Sequence, residues 1–393
     1  MLFCKKVSSK VISSRLNIAS IKFNPYKFQT KRNSTYTITL PENTYETHNC
    51  EKPKLQVEET KESLINLYRS MMLIRRLELA CDQLYKAKLI RGFCHLSTGQ
   101  EALAAGMEAA IDKEDAVITA YRCHGFTLIR GVPAKKIIAE LMGKVEGVSK
   151  GKGGSMHLFA HQFFGGNGIV GAQVPIGAGV AFTQKYCNKK NMTFVLYGDG
   201  AANQGQIFEA YNMSKLWNLP CVFVCENNQY AMGTPVERAT ASPKFFCRGD
   251  YIPGLKVDGN NVLAVKNACE YGRNWCLDNK GPLVMEMSTY RYAGHSMSDP
   301  GTTYRTREEI QQMRTTSDPL TQFNDLLTEK GCASKEELRA IDKECRKQID
   351  QAVLDAKAAP EPPVSTLFED VYVKGTEPKF IRGVAPNDIH YFT

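Results

Sequence analysis

From residue 61 onward, apolar positions along this 393-residue chain alternate between two rhythms. Lys61–Lys88 carries apolar residues at 64, 67, 71, 74, 77, 81 and 84, one face of a long amphipathic helix. Glu101–Ile111 predicts a second helix, Asp115–Tyr121 a buried strand, and the residues after it a helical stretch to about Gly131. Pro133 opens another helix, to about Met142. Phe194–Tyr197 and Cys221–Cys225 are short continuous apolar runs, the pattern of strands buried on both faces. Between them, Gln206–Trp217 places apolar residues at 207, 208, 211 and 216, and Pro220 stops this helix. Leu255–Asp258, a helix over 262–278 and a strand Leu283–Met287 continue the alternation, and a polar loop follows at about 292–306. The C-terminal part reads as helical from about 318 to 358, until Pro360, Pro362 and Pro363 break it before a short irregular tail. Residues 36–58 are polar and predict a flexible lead-in. Residues 147–179 are too glycine-rich and too long for an ordinary linker, so a functional or disordered loop is expected there. The pattern predicts an α/β fold, a mostly parallel sheet flanked by helices with a helical C-terminal region.

The chemistry concentrates in the strand–turn–helix–strand unit. Gly198-Asp199-Gly200 follows the first strand, and Asn227-Asn228-Gln229-Tyr230 follows the second. If the strands are parallel, both clusters open on one edge of the sheet, where open α/β sheets bind ligands. Asp199 is a hard anionic oxygen ligand, Asn228 offers an amide oxygen, and the turn at Tyr230 offers a backbone carbonyl. Three such oxygens leave about half of an octahedral Mg²⁺ shell for phosphate oxygens and water. Gly198 and Gly200 let the backbone approach a phosphate, and the helix N-terminus that follows favours an anion. The expected ligand is a diphosphate with its metal.

Composition refines this. The first 41 residues hold eight basic residues (Lys5, Lys6, Lys10, Arg15, Lys22, Lys27, Lys31 and Arg32) and no acidic one. With frequent serines and interspersed apolar residues, residues 1–35 read as a mitochondrial transit peptide. Removing those eight from 50 basic residues leaves 42 against 41 acidic ones. The body is nearly neutral, and the net +9 is no argument for nucleic acid. None of the thirteen cysteines forms a Cys-x-x-Cys pair, and several lie in apolar runs, as reduced, buried thiols do. No apolar run approaches the roughly 20 residues of a membrane helix.

Other candidates stand on their surroundings. Gly166–Gly171 matches a dinucleotide-loop pattern but lacks a preceding strand and an acid about 20 residues on, so a nicotinamide site is disfavoured and close backbone approach to another ligand is expected. Tyr121 and Arg122 end the predicted strand 115–121, with Arg122 placed to fork onto a phosphate. His95 and His295 each lie in a glycine-containing loop, and histidine is the natural proton carrier near neutral pH. His124 reads as an ordinary turn histidine outside the site.

The Gly-Asp-Gly and Asn-Asn clusters at this spacing resemble the thiamine-diphosphate motif. With RGFCHLSTGQEA, YRCHGFTLIRG, GKGGSMHL, GNGIVGAQVPIGAG, LYGDGAANQGQIFEA, ENNQYAMGT and YRYAGHSMSDPG followed by YRTREEI, the body from about Lys61 resembles the α subunits of mitochondrial pyruvate dehydrogenase first components. They are thiamine-diphosphate-dependent 2-oxoacid dehydrogenases. The resemblance implies a thiamine-diphosphate-binding fold over 59–393, with Asp199, Asn228 and Tyr230 as magnesium ligands. It places Tyr121, Arg122, Ala160, Gly168, Val170, Gly200, Ala201 and His295 against the cofactor, and His95 and His295 toward substrate. It implies oxidative decarboxylation of pyruvate in the mitochondrial matrix, with transfer of the two-carbon unit to the lipoyl domain of a dihydrolipoamide acetyltransferase. Only one cofactor half-site is legible, so a β subunit is expected to supply the other in a two-α, two-β heterotetramer. Ser296 matches the family's main inactivating phosphorylation site, served by a regulatory kinase and phosphatase. Thr303 stands at a second phosphoserine position, Pro235 replaces a third, and Ala293 replaces a histidine. Rival readings are a branched-chain 2-oxoacid dehydrogenase α subunit and a non-catalytic regulatory α-like chain.

Overall fold

The computed structural model describes residues 35–383, 385 and 387–392. The expected leader lies outside them except for Thr35. The expected flexible lead-in is instead built structure, with β1 (Thr35–Thr39), β2 (Tyr45–His48) and β3 (Gln56–Thr60). β1 pairs antiparallel with β3, and β2 pairs antiparallel with the edge of the main sheet. Ile38 and Tyr45 anchor this segment in the core, at 3 % and 1 % exposure.

Helix α1 (Lys61–Lys86) starts where Thr60 accepts from the Ser63 amide and buries all seven expected apolar positions. Then come α2 (Glu101–Ala110), β4 (Ala116–Ile118), α3 (His124–Ile129) and α4 (Ala134–Leu141). The glycine-rich stretch is a loop only as far as α5 (Gln173–Tyr186). Gly177 is helical: a Cβ there would come within 2.5 Å of Val195 Cγ2, so the missing side chain lets α5 lie directly on the sheet. β5 (Thr193–Gly198), α6 (Gly205–Leu216) and β6 (Cys221–Asn227) form the anticipated unit. A small hairpin, β7 (Tyr230–Ala231) and β8 (Thr234–Pro235), and a short α7 (Val236–Ala239) follow. β9 (Gly254–Asp258), α8 (Val262–Leu277) and β10 (Leu283–Ser288) complete the sheet. The C-terminal helical region divides into α9 (Arg307–Ser317), α10 (Pro319–Glu329) and α11 (Lys335–Ala358). The tail ends in the hairpin β11 (Phe380–Arg382) and β12 (Ile389–Tyr391).

The six-stranded sheet runs β2-β9-β10-β6-β5-β4, parallel except for β2. Side chains alternate across it. Phe194, Leu196, Val222 and Val224 join the core shared with α1, α2 and α8, while Val195, Tyr197, Cys221, Phe223 and Cys225 join a second core with α5 and α6. That is why both strands read as unbroken apolar runs. Gly198 pairs with Glu226, and Ser288 with Asn227. The C-terminal ends of β4, β5, β6 and β10 therefore meet on one edge.

Candidate functional site

A cavity of about 350 Å³ opens at that edge. Its walls include Tyr121, Arg122, Val170, Asp199, Gly200, Ala201, Asn228, Tyr230 and His295. Two expected wall residues are elsewhere. Ala160 bridges to Phe163, and Gly168 packs near the His157 ring. In the same loop, a Cβ on Gly166 would strike the carbonyls of Met156 and Ala120 and the Cys123 sulfur. The close approach expected of this loop is therefore an approach to the protein's own backbone at Gly166, while Gly171 lines the cavity.

Asp199 leaves β5 with 3 % of its surface exposed, and Asn228 leaves β6 with 9 %. Asp199 Oδ2 and Asn228 Oδ1 are both buried with no hydrogen-bond partner. Orphaned buried oxygens are rare and call for an explanation such as an ion. Burial pushes the Asp199 carboxyl up to about 6, against the lowering effect of the Arg291 charge. The neighbouring Asn227 is already used: its Nδ2 donates to Glu286 Oε1 at 2.8 Å, and its Oδ1 accepts from the Gln229 amide at 3.2 Å. It thus braces the turn that presents Asn228. Gln229 and Met232 take left-handed backbone, at φ 74° and 56°. Tyr230 pairs across its hairpin with Pro235, which has no N–H to offer the Tyr230 carbonyl. The Tyr230 hydroxyl donates to Glu309 at 3.0 Å, and Tyr290 donates to the same carboxylate at 2.7 Å. A Cβ on Gly200 would lie 2.6 Å from the Ala231 Cβ, so only glycine lets the two loops close together. Asp199, Asn228 and Tyr230, residues that carry oxygens of the types hard cations take, thus all line the cavity.

Arg122 is spoken for. It donates to the carbonyl of Leu96 and, at 3.1 Å, to that of His295, which ties the 91–100 and 292–306 loops together. The cavity's other guanidinium is Arg291, which is fully buried. It donates to the Met232 carbonyl and faces the Tyr304 ring and hydroxyl, leaving Nε unpartnered. Burial, with Arg122 nearby, lowers it to about 10, so it stays charged at neutral pH and is available to an anion. Arg291 and Glu226 were missed from sequence. Burial pushes the Glu226 carboxyl up to about 7. Their positions, three residues past β10 and near the end of β6, were the available signal.

His95 does not line the cavity but packs against two residues of its wall. Its ring centroid is 4.5 Å from Tyr121 and 5.2 Å from His295. Burial and the Arg122 charge lower His95 to about 2, and burial with Arg122 and Arg291 lowers His295 to about 4. Both are neutral at physiological pH and act as hydrogen-bond donors and acceptors rather than as cations. In the 292–306 loop, Ser296 is only 6 % exposed and its Oγ is 2.9 Å from Ser298 Oγ, whereas Thr303 is exposed.

Residues 69–365 match the sequence pattern of the dehydrogenase E1 component. The chain belongs to the dehydrogenase E1 component family. It is 58 % identical over 356 residues to a Saccharomyces cerevisiae protein named pyruvate dehydrogenase E1 component subunit alpha, mitochondrial, covering 90 % of this chain and 85 % of that one. It is 53 % identical to the Chaetomium thermophilum protein of that name, with coverage of 96 % and 92 %. The human somatic form of the subunit is 52 % identical, with coverage of 96 % and 94 %. The matched E1 segment contains every cavity residue named above. Among the described residues, no helix is long and apolar enough to cross a membrane.

Proposed function

We propose that this chain is the α subunit of a mitochondrial pyruvate dehydrogenase first component, built on a thiamine-diphosphate-binding fold. Together with a β subunit it oxidatively decarboxylates pyruvate and acetylates the lipoyl group of the second component. The observation that carries the reading is the pair of orphaned oxygens, Asp199 Oδ2 and Asn228 Oδ1, in a cavity with a guanidinium at the carboxyl edge of the sheet, in a chain of the dehydrogenase E1 component family whose relatives are named pyruvate dehydrogenase subunits alpha. These residues fit magnesium and a diphosphate. Asp199, Asn228 and the Tyr230 carbonyl would hold the metal, Gly200 admits the phosphates, and Arg291 offsets their charge. Tyr121 and Val170 wall the cavity. When bound, thiamine diphosphate supplies the electron sink for loss of carbon dioxide.

The chain's own part is orientation and proton handling. Neutral His295 on the wall adds no competing positive charge and can share a proton with a bound oxo acid or its product. His95 packs against Tyr121 and His295 with its Nδ1 buried and unpartnered, and it would meet a substrate that extends past these two wall residues. The relatives' naming as subunits alpha, with one diphosphate half-site legible in this chain, supports the need for a β chain. A kinase and phosphatase acting on Ser296, with Thr303 as the accessible second site, would work through the loop that Arg122 ties to the cavity. Turnover of the α–β complex with pyruvate and with branched-chain 2-oxoacids tests the reading. Preference for pyruvate supports it, and preference for a branched-chain acid assigns the chain to the rival subunit.

A further inference from the structure

Beneath the His95 loop lies a polar chain that contributes nothing to the cavity wall. Glu78 sits on the core face of α1 with no exposure, between Leu77 and Cys81. A carboxylate in such a place is costly unless its charge is matched. Its Oε1 accepts from the Ser97 amide at 3.0 Å and from Ser97 Oγ at 2.7 Å. Its Oε2 is 2.9 Å from His124 Nδ1. His124 Nε2 is 2.8 Å from Ser155 Oγ, and Ser155 Oγ accepts from the His95 amide at 3.2 Å. His124 is fully buried and Ser155 is 4 % exposed. Burial opposes ionisation of Glu78, yet His124 and Ser97 together hold its carboxyl below the ordinary range.

Two proton placements satisfy these contacts. In one, the His95 amide donates to Ser155 Oγ, the Ser155 hydroxyl donates to His124 Nε2, and His124 Nδ1–H donates to Glu78. In the other, a protonated His124 donates from both nitrogens, to Glu78 and to Ser155 Oγ, and so matches the Glu78 charge. The ligand atoms of Glu78, Cys81 and His124 lie within 4.8 Å of one another. A metal is nonetheless not the reading, because both His124 nitrogens are engaged and burial holds the Cys81 thiol protonated. What the chain does reach is specific: the amides of residues 95 and 97, on either side of Leu96, whose carbonyl Arg122 grips. The His95 ring itself stacks on Phe93 and packs tilted against Tyr121 and edge-on to His295, with Nδ1 unpartnered. Its orientation therefore depends on its backbone.

We propose that Glu78, His124 and Ser155 are positioning residues for the reaction. They lock the 95–97 backbone from below and so aim the His95 ring past Tyr121 and His295 toward bound substrate. The inference rests on the reading of His95 as a substrate-facing group. The test is a double-mutant cycle in the complete α–β complex, loaded with thiamine diphosphate and Mg²⁺, using Ser155→Ala, His95→Gln and the double variant. Ser155→Ala removes one oxygen and should lower kcat about tenfold or more, with KM for pyruvate and cofactor affinity within about twofold of wild type. In the His95→Gln background the same change should alter kcat less than about twofold, because the group it positions is gone. His124→Gln, run through the same cycle, gives a second lesion if Ser155→Ala does not assemble. Losses that multiply independently while His95→Gln is itself impaired would overturn the relay alone. Full turnover in His95→Gln would overturn the relay together with the His95 reading.

Discussion

Glu140 gives a sharp local test of how the glycine-rich loop is held. The side chain is fully buried in α4. Its Oε2 accepts from the amides of Ser149 at 2.7 Å and Gly151 at 2.9 Å, and its Oε1 from Gly153 at 2.6 Å and Gly154 at 3.1 Å. Glu140→Gln conserves volume but turns one acceptor into an NH2 group aimed at two N–H donors. Two half-buried donors then lose their partner at about 1–2 kcal/mol each, for a local loss of roughly 3 kcal/mol. That corresponds to about a hundredfold rise in the population of the open loop. Hydrogen exchange read residue by residue on the assembled complex should show amides 149, 151, 153 and 154 losing about two orders of magnitude of protection, while α1 and β5 keep theirs. Because Ser155 follows directly, turnover should fall as well. Unchanged protection in the loop would refute the anchoring role, and a uniform loss across the sheet would refute its local character.

Gly200→Ala should weaken cofactor affinity about tenfold in calorimetry, since its Cβ would sit 2.6 Å from Ala231 and overpacking typically costs about 1–3 kcal/mol. Wild-type affinity would show that the two loops need not close. Asp318 takes hydrogen bonds from Arg75 at 2.8 Å and Tyr292 at 3.1 Å and caps α10. Burial notwithstanding, Arg75 holds its carboxyl below its ordinary value of 3.8. Its stabilisation is thus present above that pH and lost as pH falls through the depressed value. Asp318→Asn should cost roughly 2 kcal/mol at pH 7 and at pH 5 alike, with the gap in urea midpoints closing only in more acidic solution; a gap that shrinks between pH 7 and 5 contradicts the assignment. Ser296→Glu places charge in a site with 6 % exposure and should cut lipoyl-dependent turnover at least tenfold, a substantial part of the effect expected from phosphate's about −2 charge, with β-subunit assembly intact. Full activity would reduce Ser296 to a simple turn residue.

The central unit was legible because β5 and β6 are covered on both faces, which forces continuous apolar runs and leaves Asp199 and Asn228 exposed to notice at their ends. The N-terminal strands were not. β1 and β3 bury one side only, through Ile38 and Val57, and show Thr and Glu outward, so they look like polar linker. Glycine frequency hid α5, where Gly177 serves helix-to-sheet contact rather than a loop. Arg291 and Glu226 carried only a positional sign, past the end of β10 and near the end of β6, because a buried charge is recognisable only once the strand ends that surround it are brought together. Ala160 and Gly168 came from resemblance alone, and the cavity is lined without them.

Binding of Mg²⁺-thiamine diphosphate to the assembled α–β complex, measured by calorimetry for wild type and Asp199→Ala, bears on the site most directly. Asp199 is the only anion in the proposed metal shell, so its loss should abolish tight binding, while Asn228→Ala weakens binding less. Unchanged affinity in Asp199→Ala would contradict the assignment of this cavity to the metal and its diphosphate.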